Sequence, residues 1–272
     1  MAGGKKEMKI LYIGDIMGNP GIETVEKVLP DVTKEYAVDL VVAQSENVTD
    51  GKGLSVADYE RLKAAGISGF TSGNWTMHRE EIYGLLDNPY EPITRPANYP
   101  VGTPGQRHKI IDTGKGKVLL ISLLGTIVGK DSEKPVDNPL KVIDEILQTL
   151  SSQEYLAIIV NFHGDFSSEK RIIGYYLDGR VTAVVGDHWH VPTHDAMILP
   201  NGTAHITDVG MCGSLHSSLG IKFDSVVPRW RDNIQTRNEL ETKGPRQFNA
   251  VLIESDDLAI RANSIEHIQI IL

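Results

Sequence analysis

The sequence predicts an α/β protein, and three observations carry the prediction. Apolar runs of strand length end abruptly in polar residues, helix-like segments separate them, and the runs are rich in Val, Ile and Leu, as strands buried on both faces must be. In order the runs are MKILYIGD (8–15), DLVVAQSEN (39–47), ISGFTSGN (67–74), KVLLISLLG (117–125), YLAIIVNFHGD (155–165) and VTAVVGDHWH (181–190). Helical spacing marks residues 22–36, 56–65, 139–150 and 167–177 between them. Ser55 is the expected N-cap of the second helix and Gly66 its stop. After Ala196 the stretches MILP, TAHITDVG, FNAVLIES and LAIRANSIEHIQIIL, separated by turn pairs such as Asn201-Gly202 and Asp256-Asp257, are expected to form an antiparallel extension. No repeat, low-complexity tract or long linker divides the chain. Residues 8–272 are therefore read as one domain behind a leader at 1–7, with Met8 as the natural start.

Composition narrows the function classes. A chain of 272 residues with 40% hydrophobic and 23% charged residues can bury a substantial core, and no apolar run nears the roughly 20 residues of a membrane helix. The start, MAGGKKEMKI, lacks the apolar region of a signal peptide, so a cytoplasmic location is expected. The single cysteine, Cys212, leaves no internal disulfide and fits a reducing compartment; its setting, DVGMCGS, carries no nucleophile signature. A net charge of −9 without a basic stripe argues against an extended nucleic-acid surface, although bound divalent cations would reverse that sign locally.

Each of five runs delivers polar residues at its carboxyl end: Asp15, Glu46 with Asn47, Asn74, His163 with Asp165, and Asp187 with His188 and His190. Open α/β sheets bind ligands at that edge, because strand ends lie side by side there. In an extended backbone residues two apart share a side, so His188 and His190 are expected to converge while Trp189 faces away. Taken singly, each residue is more simply a helix cap or a solvated strand end; five consecutive coincidences favour a site. Carboxylate, amide and imidazole together suit Mn²⁺, Fe²⁺ or Zn²⁺, whereas Ca²⁺ would favour oxygen alone. A carboxylate such as Glu46 bridging two cations that share a hydroxide is a known clamp for phosphoryl groups.

Other signals are discounted. GTIVGKDS (125–132) has three residues between its glycines and Asp131 after the lysine, where a phosphate loop needs four and then Ser or Thr, so it reads as a turn. GDIMGNPG opens a helix and offers backbone N–H groups to a phosphate, but a tight strand-to-helix turn is the simpler reading. Arg95 in TRPANYP is either an anion contact or half of a structural ion pair.

Seven segments in order, YIGDIMGNPG, SENVTDGKGL, TSGNWT, RPANYPVGTPG, NFHGDFSSEK, DGRVTAVVGDHWHVPT and TDVGMCG, resemble the YmdB-like proteins, a 2′,3′-cyclic-nucleotide phosphodiesterase family within the calcineurin-like metallophosphoesterases. The resemblance implies a four-layer α/β sandwich with ligands at the carboxyl ends of the strands. It implies a homo-oligomeric phosphodiesterase that hydrolyses cyclic nucleotides through a hydroxide bridging two divalent metal ions, Fe or Mn first, Zn or Mg as alternatives. By it, Asp15, Glu46 and His190 would hold one metal and Glu46, Asn74, His163 and His188 the other, with Asn47 beside Glu46. His194 has no counterpart and reads as an outer or surface residue.

The chain departs from the family pattern at Ser45 (glycine in the family), Gly164-Asp165 (Ala-Glu), and Asp187 and Trp189 (threonines). Asp187 either orients an imidazole or faces solvent. One departure touches chemistry directly. The family places a histidine after the asparagine ligand to protonate the leaving oxygen, and this chain has Trp75, whose indole N–H supplies no proton at neutral pH. His78, three residues on, either compensates from the same face of a helical turn or is an exposed first-turn residue. Alternative readings are a phosphomonoesterase on a small phosphate ester and a nucleotide-binding regulatory protein with little turnover.

Overall fold

Strand β1 (Lys9–Ile13) carries apolar side chains on both faces and so needs a packing layer on each side. In the computed structural model, which describes residues 7–128, 135–256 and 260–272, it has both. After β1 come β2 (Asp15–Ile16), α1 (Gly18–Tyr36), β3 (Leu40–Gln44), α2 (Val56–Ala64) and β4 (Gly69–Thr71). Two 3₁₀ turns, Thr76–His78 and Glu80–Ile82, lead into the short α3 (Tyr83–Asp87). The second half runs β5 (Lys109–Asp112), β6 (Lys117–Leu124), α4 (Pro139–Thr149), β7 (Ala157–His163), α5 (Ser167–Tyr176) and β8 (Ala183–Asp187). It continues through β9 (Met197–Ile198), β10 (Ala204–Ile206), β11 (Met211–Ser214) and α6 (Phe223–Asp232) to β12 (Arg246–Ser255) and β13 (Ala262–Ile271).

One sheet has the order β2-β11-β12-β1-β3-β4, with β13 also paired to β12; the other has the order β5-β6-β7-β8-β10-β9. Alternation along the strands sorts side chains into three cores. Ile10, Tyr12, Leu40 and Val42 of the first sheet meet Val118, Leu120, Ile159 and Val185 of the second. Leu11, Ile13, Val41 and Ala43 point the other way, against Ile22, Val25 and Leu29 of α1 and Tyr59 and Leu62 of α2. Leu119, Ile121, Val160 and Val184 likewise meet Val142, Ile143 and Ile146 of α4 and Ile173 of α5. The result is the four-layer α/β/β/α sandwich that the resemblance implied.

Local signals placed most elements. Ser55 caps α2 by accepting from the Asp58 N–H at 3.1 Å, and Gly66 follows in the left-handed region at φ 109°. Helix α1 starts four residues earlier than its apolar spacing suggested, because Pro20 fits a first turn and Gly21 lies where a Cβ would come within 2.6 Å of the Cys212 carbonyl oxygen. The region after Ala196 is not purely antiparallel. β12 and β13 pair antiparallel, but β10 pairs β8 and β11 pairs β2 in parallel, each short strand covering an edge that would otherwise be open. Helix α6 escaped the sequence reading because Pro228 sits inside it. Asp257 of the expected Asp256-Asp257 turn and most of the 1–7 leader lie outside the described residues. Among the described residues no helix is long and apolar enough to cross a membrane.

Candidate functional site

The strand-end residues come together, but from two facing sheets rather than along the rim of one. Asp15 opens β2 and Glu46 and Asn74 follow β3 and β4 in the first sheet; His163 ends β7 and His188 follows β8 in the second. Gly73 makes the approach feasible: a Cβ there would lie 2.3 Å from Glu46 Oε2 and 2.6 Å from His163 Nε2. The Trp75 backbone N–H then donates to Glu46 Oε2 at 3.0 Å.

Two groups result. His163 Nε2 lies 3.0 Å from both Asn74 Oδ1 and Glu46 Oε1, and the His188 ring meets the His163 ring edge-on at 4.5 Å. Glu46, His163 and His188 each present a ligand atom within 4.8 Å of the other two. In the second group His190 Nε2 is 3.8 Å from Asp15 Oδ1 and 3.2 Å from Asn47 Oδ1. Asp15 Oδ2 accepts the His188 N–H at 3.0 Å, while Asp15 Oδ1 is buried with no hydrogen-bond partner. A buried carboxylate oxygen without a donor is costly, and a cation is the partner that would satisfy it. With imidazole, amide and carboxylate donors around it, this set fits divalent metal.

The charges follow from burial and neighbours. Burial, then Asp187, pushes the Asp15 carboxyl well above its ordinary range. Burial pushes Glu46 the same way, but His163 outweighs it and pulls the carboxyl down. For His163 burial opposes the charge, yet Glu46 and Asp187 raise its pKa well above that of a free imidazole. Burial and then His188 lower His190 to about 4, so its ring is neutral at pH 7, the form that ligates metal.

Asp187 does not face solvent. It is fully buried, accepts from Tyr12 at 2.9 Å, Asn161 at 2.6 Å and Gln44 at 3.1 Å, and its Oδ1 lies 2.7 Å from His163 Nδ1. It therefore orients His163, across the sheet, rather than His188, its neighbour in sequence. The backbone after it is not extended either. His188 and His190 have φ 97° and 62°, and Trp189 does not face away but lines the same cavity. This turn costs backbone strain and must be held. Asp208, fully buried, accepts the Trp189 N–H at 2.9 Å and the ammonium of Lys170, also fully buried, at 2.7 Å; Lys170 donates to the Asp187 carbonyl at 2.5 Å and lies 4.1 Å over the Trp189 ring. Sequence reading missed this pair: Lys170 resembles a solvated helix residue and Asp208 a loop residue, the signal being their places inside NFHGDFSSEK and TDVGMCG.

Asp165 is brought to the cluster, its Oδ1 3.1 Å from His188 Nε2; the remaining candidates are not. His78 is exposed, meets the Trp75 ring edge-on at 5.3 Å, and does not line the cavity. Burial, then Lys52, lowers its pKa. His194 is exposed. Burial raises the Cys212 thiol to about 12, leaving it no nucleophile. Arg95 is buried and bonds the Gly105 and Pro96 carbonyls, and among the described residues it forms no ion pair. In GDIMGNPG the Met17 and Gly18 N–H groups bond the Cys212 and Asn47 carbonyls, consistent with a turn. In GTIVGKDS the Thr126 N–H bonds Glu169, and residues 129–132 lie outside the described residues. Above the cluster opens a cavity of about 490 Å³, with Glu46, Asn47, His188 and His190 on its inner side and Leu219, Arg229, Trp230 and Asn238 on its outer side.

The family model for YmdB-like protein matches residues 11–268. The chain is 35% identical over 263 residues to the 2′,3′-cyclic-nucleotide 2′-phosphodiesterase of Bacillus subtilis (strain 168), with 97% of each chain covered. A solved structure described as a novel phosphatase from Mycoplasma pneumoniae is similar with a TM-score of 0.91 at 31% identity, over 98% of this chain and 94% of that one. A Thermus thermophilus protein of known structure, described as hypothetical, is similar with a TM-score of 0.87 at 35% identity, over 97% and 99%.

Proposed function

The chain belongs to the YmdB-like family, and from that premise we propose that it is a phosphoric ester hydrolase that opens 2′,3′-cyclic nucleotides with two divalent cations at the strand-end cluster. The observation that carries this reading is the convergence of Glu46, His163 and His188, ligand atoms within 4.8 Å of one another, from both sheets. In this reading Asp15, Glu46 and His190 would hold one cation, and Glu46, Asn74, His163 and His188 the other. The cations, Mn²⁺ or Fe²⁺ for this donor set, would supply Lewis acidity and an acidified water.

The chain's own residues prepare the rest. Asp187 at His163 Nδ1 keeps Nε2 turned toward Glu46 and Asn74, and the Trp75 backbone N–H fixes the second Glu46 oxygen. Asn47 steadies His190. The Trp75 indole has no proton to give at neutral pH, so the ribose oxygen leaves without a side-chain acid and turnover depends on how basic that oxygen is. The exposed position of His78 argues against its replacing the acid.

The test is protein reconstituted with Mn²⁺ or Fe²⁺, assayed on 2′,3′-cyclic AMP, 3′-AMP and bis(4-nitrophenyl) phosphate. Two bound cations per chain are expected, with the cyclic diester preferred over the monoester and the nitrophenyl diester, which needs little protonation, cleaved fastest. Preference for 3′-AMP would make the protein a phosphomonoesterase. Binding of the nucleotides without turnover of any ester would make it a regulatory module.

A further inference from the structure

All three tryptophans of the chain, Trp75, Trp189 and Trp230, line the one cavity above the histidine–carboxylate cluster. They come from three separate places, the turn after β4, the turn after β8, and α6, so their meeting is a property of the tertiary structure. Two of the rings are already engaged: Lys52 lies 4.2 Å over Trp75, and buried Lys170 lies 4.1 Å over Trp189, whose Nε1–H donates to the Asp165 carbonyl. The third is different. Trp230 is 85% exposed, and among the described residues no ring, cation or hydrogen bond engages it. Leaving an indole in water forgoes the largest burial any side chain offers, and an exposed aromatic beside a polar cleft marks a contact surface.

The cavity's chemistry selects the kind of contact. Its volume of about 490 Å³ lies in the range of small-molecule sites. Its inner end suits a phosphate ester, and Lys52 and Arg229 add positive charge to its lining. A ligand that carries a phosphoryl group at one end and a flat ring at the other matches both ends, and every nucleobase has a face that stacks on an aromatic ring.

We infer that the three tryptophans form a nucleobase-binding wall, with Trp230 as the stacking platform, which selects nucleoside phosphates over base-free phosphates and tolerates the identity of the base. The inference rests on the reading of the cluster as a phosphate-ester site. The tolerance follows from stacking, which reads the face of a base and not its hydrogen-bonding edge.

Intrinsic fluorescence reports directly on this wall, because every tryptophan belongs to it. The full chain is titrated with 3′-AMP, 3′-UMP and glycerol 2-phosphate, with calorimetry supplying Kd values. Both nucleotides should quench the emission and bind more tightly than glycerol 2-phosphate. Trp230→Ala should weaken 3′-AMP binding roughly 5- to 150-fold, the range for loss of one base-stacking contact, while Trp230→Phe keeps most of the affinity. In turnover assays Trp230→Ala should raise KM for 2′,3′-cyclic AMP and leave kcat nearly unchanged.

Equal affinity for glycerol 2-phosphate and 3′-AMP, or an unaltered Kd in folded Trp230→Ala, overturns the inference. So does a Trp230→Ala variant that changes only self-association in sedimentation, which would make the exposed face of α6 a contact between copies. Failure of the underlying reading is distinguishable. Trp230-dependent 3′-AMP binding in a protein that hydrolyses no phosphodiester keeps the wall and removes the hydrolase. Equal kcat/KM for 2′,3′-cyclic AMP and glycerol 1,2-cyclic phosphate keeps the hydrolase and removes the wall.

Discussion

The inner and outer walls of the cavity are held by different physics. On the inner wall Glu46 is buried, and directly behind it His163 and Asp187 are fully enclosed; each of the three is fixed by several side-chain or backbone partners. On the outer wall Leu219 and Trp230 are exposed, with Phe223 and Val227 exposed on the helix of Trp230, and among the described residues Arg229 bonds only the Ser225 carbonyl and Asn238. A buried charge survives folding only when neighbours satisfy it, so the inner wall is over-determined and its geometry cannot drift. The outer wall has no such constraint. In the proposed reading chemistry belongs to the inner wall, and selectivity to the outer one.

Glu46→Gln is the strongest attempt to break this contrast. In the proposed reading it removes the negative charge that two cations would share and should empty the site, with turnover falling by more than the roughly 10- to 100-fold that outer partners of a metal typically cost. Metal analysis by mass spectrometry decides it; a variant with both cations and normal turnover would show that the inner wall is not the metal centre.

Trp75, whose backbone belongs to the inner wall and whose ring lines the cavity, gives the next effect. In the proposed reading Trp75→His would supply a proton donor where the family resemblance implies one, and should raise kcat on 2′,3′-cyclic AMP by about 10²–10⁴-fold, with little gain on bis(4-nitrophenyl) phosphate. His78→Ala should change neither rate. Wild-type speed equal to that of Trp75→His would show that no acid is missing.

Asp187→Asn sharpens the contrast at smaller cost. The fold should be retained in circular dichroism, while metal affinity falls about 10- to 100-fold because His163 loses the partner that orients it. Unchanged affinity would reduce Asp187 to a packing residue.

The smallest effect concerns the segment that follows the inner wall. Burial pushes the Asp195 carboxyl up, but hydrogen bonds from Thr207 and Thr193 outweigh it and hold its pKa below the ordinary value. A depressed carboxylate contributes stability that is present above its unfolded pKa, near 4, and is lost as pH falls through the folded value. Asp195→Asn should therefore lower Tm modestly at pH 7, and the gap to wild type should close on acidification. A gap that stays constant down to pH 3 would contradict this.

Much was determined by sequence alone, wherever the signal is local. Apolar runs and spacing marked most strands and most helices, though not β5 or β11, Ser55 and Gly66 bounded α2, and the polar residues at the strand ends supplied every residue of the two groups around Glu46 and Asp15. Tertiary structure alone decided which sheet each strand joins, that β8 pairs β10 and β2 pairs β11 in parallel, and that Asp187 serves His163 across the sheet rather than His188 beside it. It also decided that Lys170 and Asp208 are buried and hold the left-handed turn of His188 and His190. The physical reason is range. Periodicity and capping are set by residues within one or two turns of each other, whereas whether a charge is solvated or buried depends on a partner that only the folded chain brings near, 38 positions away for Lys170 and Asp208.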